Sequence, residues 1–173
     1  SAFYLDIIKD RLYCDAPEGK LRRSAQTVLH IMARDMARIL SPIFSFTAED
    51  VWRSVAAGGT KEASVFLAGF PVVDPSWEDE ALLERWQMLR DVRKEVTRVL
   101  EDMRRDGKIG NALQAEVTVG ASGDTFNVLR EMGDELITDV FLVSKATLKQ
   151  VDGDLQVEAR ACDDAKCPRC WRM

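Results

Sequence analysis

Apolar positions between Phe3 and Met103 recur at spacings of three and four, the rhythm of helices that bury one face. Phe3, Tyr4, Leu5, Ile7, Ile8, Leu12 and Tyr13 open the chain in that rhythm. No cap after a turn precedes them, so they are expected to be the surviving part of a longer helix. Ala16-Pro17-Glu18-Gly19 reads as a loop. Leu21, Ala25, Val28, Leu29, Met32, Met36, Ile39, Leu40 and Ile43 then draw a single stripe along a second helix. Ser41-Pro42 ends or kinks it, because proline disfavours helical geometry in the residue before it. Thr47-Ala48-Glu49-Asp50 reads as a new start, with Thr47 as cap and acids in the first turn. Val51, Trp52 and Val55 continue that short helix, and Gly58-Gly59 closes it.

Residues 60–77 read as irregular, with Phe66, Leu67, Phe70 and Trp77 pinned to the core. A long helix is expected from Glu78 to Asp106, with a stripe of Leu82, Leu83, Trp86, Leu89, Val92, Val96, Val99, Leu100 and Met103. Gly107 supplies its end. The pattern then changes. Glu116-Val117-Thr118-Val119 alternates as a strand does, and Gly120 to Gly123 reads as a turn. Asp124 to Met132 is a short helix with Phe126, Leu129 and Met132 on one face. Phe141-Leu142-Val143 and Leu155 to Ala159 are further strand candidates. The expected class is mainly α: a helical bundle over 1–106, then a small α+β region over 107–160, then a cysteine-bearing tail over 161–173. No internal repeat or low-complexity stretch interrupts this order.

The 173 residues are 46% hydrophobic and 31% charged, enough apolar content for a core. No apolar run approaches the roughly 20 residues that span a bilayer, and charges at Asp6, Lys9, Asp10 and Arg11 rule out a signal peptide at the start. A soluble cytosolic protein is the expectation. The net charge of -5 argues against nucleic-acid binding by bulk charge, so any RNA contact must come from a local basic face.

Arg23, Thr27, His30, Arg34 and Arg38 form such a face, opposite the apolar stripe of the second helix, and Lys20 and Arg22 add charge at its start. Arginine forks match phosphate oxygens. A solvated helix face has the same pattern, and on pattern alone that reading is preferred. Cys162, Cys167 and Cys170 cluster near the end, whereas Cys14 stands apart. The spacing of Cys167 and Cys170 lets them bend around one metal ion, but zinc takes four ligands and only half a site is visible. Two free thiols are the preferred reading on count alone. A single histidine, no phosphate loop and no nucleophile elbow leave little for other enzyme chemistry.

Five segments together shift these readings. Phe3 to Tyr13, Arg22 to Leu29, Leu40 to Trp52 with its Pro-Ile and Thr-Ala-Glu-Asp-Val-Trp, Lys108-Ile109-Gly110-Asn111-Ala112-Leu113-Gln114-Ala115, and Cys167-Pro168-Arg169-Cys170-Trp171 occur in this order. The series resembles the anticodon-binding region of bacterial isoleucyl-tRNA synthetases. Valyl and leucyl enzymes share parts of the helical region, but Lys-Asp-Arg-Leu-Tyr and Cys-Pro-Arg-Cys-Trp favour the isoleucyl family. The third and fourth segments depart from its pattern at Asp50, Ala112 and Gln114.

The resemblance implies a helical bundle that holds the anticodon stem-loop of tRNA(Ile), a junction domain, and the first half of a truncated zinc-binding module. It implies phosphate contacts from Lys20, Arg22, Arg23, Arg34 and Arg38, base stacking by Trp171, and zinc ligation by Cys167 and Cys170. Trp52, Trp77 and Trp86 are expected in the core. ATP and magnesium belong to a catalytic domain that lies upstream in the family, as does the editing domain. The His-Ile-Gly-His and Lys-Met-Ser-Lys-Ser signatures are missing from these residues, so no aminoacylation is expected of them alone. The implied partners are tRNA(Ile) and the catalytic domain of the same protein, without a membrane, in a monomeric cytoplasmic enzyme. A valyl-type fragment and a free-standing helical interaction module remain the alternatives.

Overall fold

A computed structural model describes residues 2–56 and 62–173. They form seven helices and three strands: α1 (Ala2–Ile7), α2 (Lys9–Tyr13), α3 (Lys20–Leu40), α4 (Ser45–Ala56), α5 (Glu80–Arg105), β1 (Ala115–Ala121), α6 (Gly123–Met132), α7 (Asp134–Phe141), β2 (Lys145–Gln150) and β3 (Gln156–Ala161). The class is mainly α with one small sheet. None of the described helices is long and apolar enough to cross a membrane. The chain divides into two compact units, residues 11–78 and residues 1–10 with 79–173. The long helix therefore groups with the sheet, although the sequence pattern had grouped it with the preceding helices.

In the unit of residues 11–78, α3 ends at Leu40, one residue before the Ser41-Pro42 pair. The turn that follows is closed by the Ser41 hydroxyl donating to the Arg38 carbonyl and the Ser45 hydroxyl donating to the Ser41 carbonyl. These bonds start α4 at Ser45, two residues ahead of the expected cap, so Thr47 lies inside the first turn. Trp52 is 2% exposed and its indole N–H donates to the Glu62 carbonyl at 3.1 Å. Ala37, Ala48, Trp52 and Val65 form a small core. The expectation that Phe66, Leu67, Phe70 and Trp77 are pinned to a core is corrected, since all four are more than half exposed. Short turns at Val65–Leu67 and Pro75–Trp77, and the Arg38 donors to the Ala68, Gly69 and Phe70 carbonyls, satisfy the local backbone instead, so these side chains need no burial to fix the segment. The apolar stripe of α3 is also largely open at Leu21, Val28, Met32, Met36 and Ile39. The expected stop at Gly58-Gly59 lies outside the described residues.

In the other unit, Asp79 caps α5 by accepting from the Leu82 N–H at 2.9 Å. Gly107, at φ 72°, ends it as the sequence predicts. Leu89, Val92, Val96, Leu100 and Met103 are buried along its stripe, with Trp86 packed partly against the same core. Strand order is β2-β1-β3, with β2 parallel and β3 antiparallel to β1. Gly120 is in the strand and not in a turn. A Cβ there would sit 3.0 Å from a methyl of Val151 and 3.3 Å from the Gln156 Cβ, so the close approach of neighbouring chain favours glycine.

Phe141-Leu142-Val143 is not a strand. Phe141 ends α7, and Leu142 adopts the left-handed conformation at φ 58° that terminates the helix. Ile137, Val140 and Phe141 share the buried helix face, so the three apolar residues in a row were a helix end and its turn. The strand begins later, at Lys145.

Candidate nucleic-acid interface

The basic face of α3 carries cations in unlike environments. Lys20 is exposed. Arg23 reaches the surface and pairs with Glu18 at 2.6 Å, with side-chain exposures of 65% and 83%, so the pair is open to solvent and exchangeable. Arg34 is half-buried beside Asp35, 3.0 Å away. Arg22 turns inward, with one guanidinium N–H donating to the Leu12 carbonyl. Arg38 is more committed still. Its Nε donates to the Gly69 carbonyl at 2.8 Å, and its Nη2 to those of Ala68 at 2.9 Å and Phe70 at 2.8 Å. Its Nη1 meets Asp35 at 3.3 Å. Asp35, which the sequence reading passed over, thus sits between Arg34 and Arg38 and offsets their repulsion. No periodicity signal marks an acid with that duty; only the two pairings identify it.

Trp171 lies in the other unit, 61% exposed, at φ 65°, with the Lys166 ammonium 5.1 Å from its ring centre. The tail around it is anchored. Arg172 bridges Asp10 at 2.8 Å and Asp139 at 2.7 Å, and the Met173 N–H donates to the Ser144 hydroxyl. The Cys167 N–H donates to the Arg172 carbonyl and the Trp171 N–H to the Cys167 carbonyl, which closes a tight turn. Within it the backbone N–H groups of Cys170 and Arg169 and the Cys170 thiol hold the Cys167 thiol below its ordinary value. The Arg172 amide pulls the Cys170 thiol down, but burial and the Cys167 sulfur outweigh it and leave Cys170 raised. The two thiols are adjacent and each meets backbone donors, and thiolates are the atoms a zinc ion would take as ligands. Among the described residues, no third histidine, cysteine, aspartate or glutamate closes a ligand group with them, so these residues do not fit a complete zinc site.

A sequence profile described as the anticodon-binding domain of tRNA ligase matches residues 1–119. The chain belongs to that family. Similar proteins include isoleucine–tRNA ligases of Burkholderia multivorans, at 44% identity over 172 residues, Bordetella avium, at 41% over 176, and Cupriavidus taiwanensis, at 42% over 171. Each match covers 98% of this chain, which spans 18% of the relative's length.

The match extends through α5 into β1 and so takes in Lys108 to Ala115, the segment that joins them. In this member of the anticodon-binding family that segment is a staple. The Gln114 side-chain carbonyl accepts from the Gly110 N–H at 2.6 Å and the Asn111 N–H at 3.3 Å, while its backbone carbonyl accepts from the Cys162 N–H at 2.8 Å. Glutamine at this position keeps the acceptor that such a turn needs.

Cys162 does not join Cys167 and Cys170. Its thiol lies 3.5 Å from Glu116 and 3.7 Å from Asp164. Glu116 is already engaged by Arg160, at 2.9 and 2.6 Å, and that pairing holds its carboxyl below its ordinary value. The Asp164 amide lowers the Cys162 thiol, but burial and the Glu116 carboxylate leave it raised, opposite to what a ready metal ligand needs. This group reads as a cross-strand ion pair with a capped thiol.

Proposed function

We propose that this chain is the part of an isoleucine–tRNA ligase that grips the anticodon stem-loop of tRNA(Ile). The observation that carries the reading is family membership over residues 1–119 together with 41–44% identity to isoleucine–tRNA ligases along nearly the whole chain. The protein as a whole would attach isoleucine to tRNA(Ile) with ATP and magnesium in the cytoplasm, as a monomer, through a catalytic domain outside these residues. The chain's share of the work is recognition: phosphate contacts fix register, and base contacts at the loop supply identity.

The proposed functional division takes residues 1–106 as the anticodon-binding bundle, 107–160 as the junction domain and 161–173 as the first half of a zinc module; its first part draws on both compact units, since residues 1–10 and α5 group with the sheet. Lys20 and Arg23 are the α3 cations best exposed to meet phosphate, with Arg34 beside them. Arg38 serves the same surface by holding the backbone around it, since its donors are spent on three carbonyls and Asp35, and Arg22 does so through its bond to the Leu12 carbonyl. Trp171 offers an open ring face for an unpaired base. Cys167 and Cys170 supply two zinc ligands, and the remaining two come from elsewhere in the longer protein.

Binding to an isoleucine tRNA transcript and to a non-cognate tRNA across a salt series tests this. Preference for the isoleucine anticodon, with affinity falling as salt rises, is expected. The double variant Lys20→Ala/Arg23→Ala weakens binding to both RNAs alike, because phosphate contacts carry no sequence information. Absence of RNA binding at low salt overturns the reading.

A further inference from the structure

Most arginines of α5 are neutralised on the helix itself or by a nearby acid. Arg98 pairs with Glu95, Arg104 with Glu101, Arg105 with Asp102, and Arg85 with Glu131. Arg90 and Arg93 break this rule. Among the described residues no carboxylate lies within ion-pair distance of either guanidinium. Both stand over the ring of Phe3, at 5.5 and 4.9 Å from its centre, and Phe3 is held edge-on by Trp86. The ring fixes the two cations side by side against their repulsion.

They open onto a pocket of about 410 Å³ lined by Phe3, Asp6, Arg90, Arg93, Lys94 and Thr97. Two of its charges are already balanced: Asp6 is 2.8 Å from Lys9, and Lys94 is 2.6 Å from Asp91. With one acid, Asp6, against Arg90, Arg93 and Lys94, the lining stays net positive, and neither guanidinium has an ion-pair partner of its own among the described residues. Arg93 also has a buried Nη1 with no hydrogen-bond partner. Burial pulls its guanidinium below its ordinary value, and Asp6 offsets this only in part. A buried cationic donor without an acceptor is costly, and an anion in the pocket would remove that cost.

We infer that the Phe3–Arg90–Arg93 pocket is a binding site for one backbone phosphate of RNA, separate from the basic face of α3. The inference rests on the RNA-binding reading above, since that reading supplies the class of anion. Phosphate suits the pocket better than a carboxylate. The two non-bridging oxygens of a phosphodiester diverge tetrahedrally, so each can face one fork where a planar carboxylate tends to fill one, and the Thr97 hydroxyl at the rim adds a neutral donor.

The test measures affinity for the isoleucine tRNA transcript against salt, in the wild-type protein and in Arg90→Gln/Arg93→Gln. The variant is expected to lose on the order of tenfold in affinity at 0.1 M salt, and its slope of log affinity against log salt should fall by about one. Thr97→Glu, which sets a negative charge at the exposed rim without touching the core, should lower affinity in the same direction. Arg90→Lys/Arg93→Lys keeps the charge and should restore the slope. Wild-type affinity and slope in both the glutamine and the Thr97→Glu variants overturn the pocket while leaving the RNA-binding reading intact. Failure of the wild-type protein itself to bind RNA overturns both. In a further arm, inorganic phosphate at fixed ionic strength should compete only weakly. Saturable binding of free phosphate that tRNA does not displace would assign the pocket to a small anion and overturn the RNA assignment.

Discussion

Arg38 and Arg23 lie on one stripe of α3, yet they are fixed by different partners. Arg38 is 16% exposed at the side chain and donates to three successive carbonyls of the 68–70 loop. Its removal leaves polar groups without partners, so Arg38→Ala should cost about 2 kcal/mol in urea unfolding followed by far-UV circular dichroism. Arg23→Ala should cost less than about 0.5 kcal/mol in the same assay, as befits a solvent-exposed pair. Sequence periodicity placed both residues on the polar face correctly, but it cannot see a loop thirty residues away that consumes one of them.

Glu49 shows the same dependence on distant chain. Its carboxylate accepts from the Val65 N–H at 3.0 Å and the Ser64 hydroxyl at 2.9 Å, and these bonds, with Arg53, hold it below its ordinary value of 4.5. A lowered folded value means that stability is present above the ordinary value and is lost as pH falls through the folded one. The urea midpoint should therefore drop in the wild type as pH falls below the ordinary value of 4.5 and through the lower folded one, and the drop should be shallower in Glu49→Gln.

At the scale of elements, long periodic segments were legible and short ones were not. α5 was predicted to within two residues at each end, because its stripe runs for many turns and Asp79 and Gly107 mark its limits. α7 and β2 were missed. Phe141-Leu142-Val143 has strand composition, but helix α7 needs Ile137, Val140 and Phe141 on one face against the sheet. Tertiary packing overrode the local preference. The join between these elements is specific. Thr138 is 9% exposed, and its hydroxyl accepts from the Ala146 N–H of β2 at 3.1 Å, which satisfies a backbone donor on an edge strand. Thr138→Val keeps the shape and leaves that buried N–H unpaired, so a loss of about 1–3 kcal/mol is expected by thermal or urea unfolding. Amide exchange at Ala146 should accelerate in the same variant, which distinguishes a lost bond from a packing defect.

At the scale of the molecule, the net charge of -5 conceals a selective arrangement. Pairs along α5, such as Arg98 with Glu95 and Arg105 with Asp102, cancel locally. Lys20 and Arg23 in one unit and Arg90 and Arg93 in the other are the cations assigned to an anion, Arg23 by exchanging its exposed pair with Glu18. A chain of this kind should show a modest salt slope, close to the number of phosphates those few residues neutralise. Bulk charge would have argued against RNA altogether, and only the positional reading keeps it open.

The sequence by itself determined the helical class, the course of α3 and α5, the cysteine pair and the order of motifs that carries the family. These are local properties: a repeat of hydrophobic positions, a cap, a glycine past a helix end, and a run of residue types all survive without knowledge of neighbours in space. Tertiary structure alone decided the grouping of α5 with the sheet, the parallel pairing of β2, the inward duty of Arg22 and Arg38, and the freedom of Arg90 and Arg93. Each of those depends on which distant carbonyl, carboxylate or ring comes within a few ångströms of the side chain. A charge's availability is set by what surrounds it, and that is a property of the folded chain.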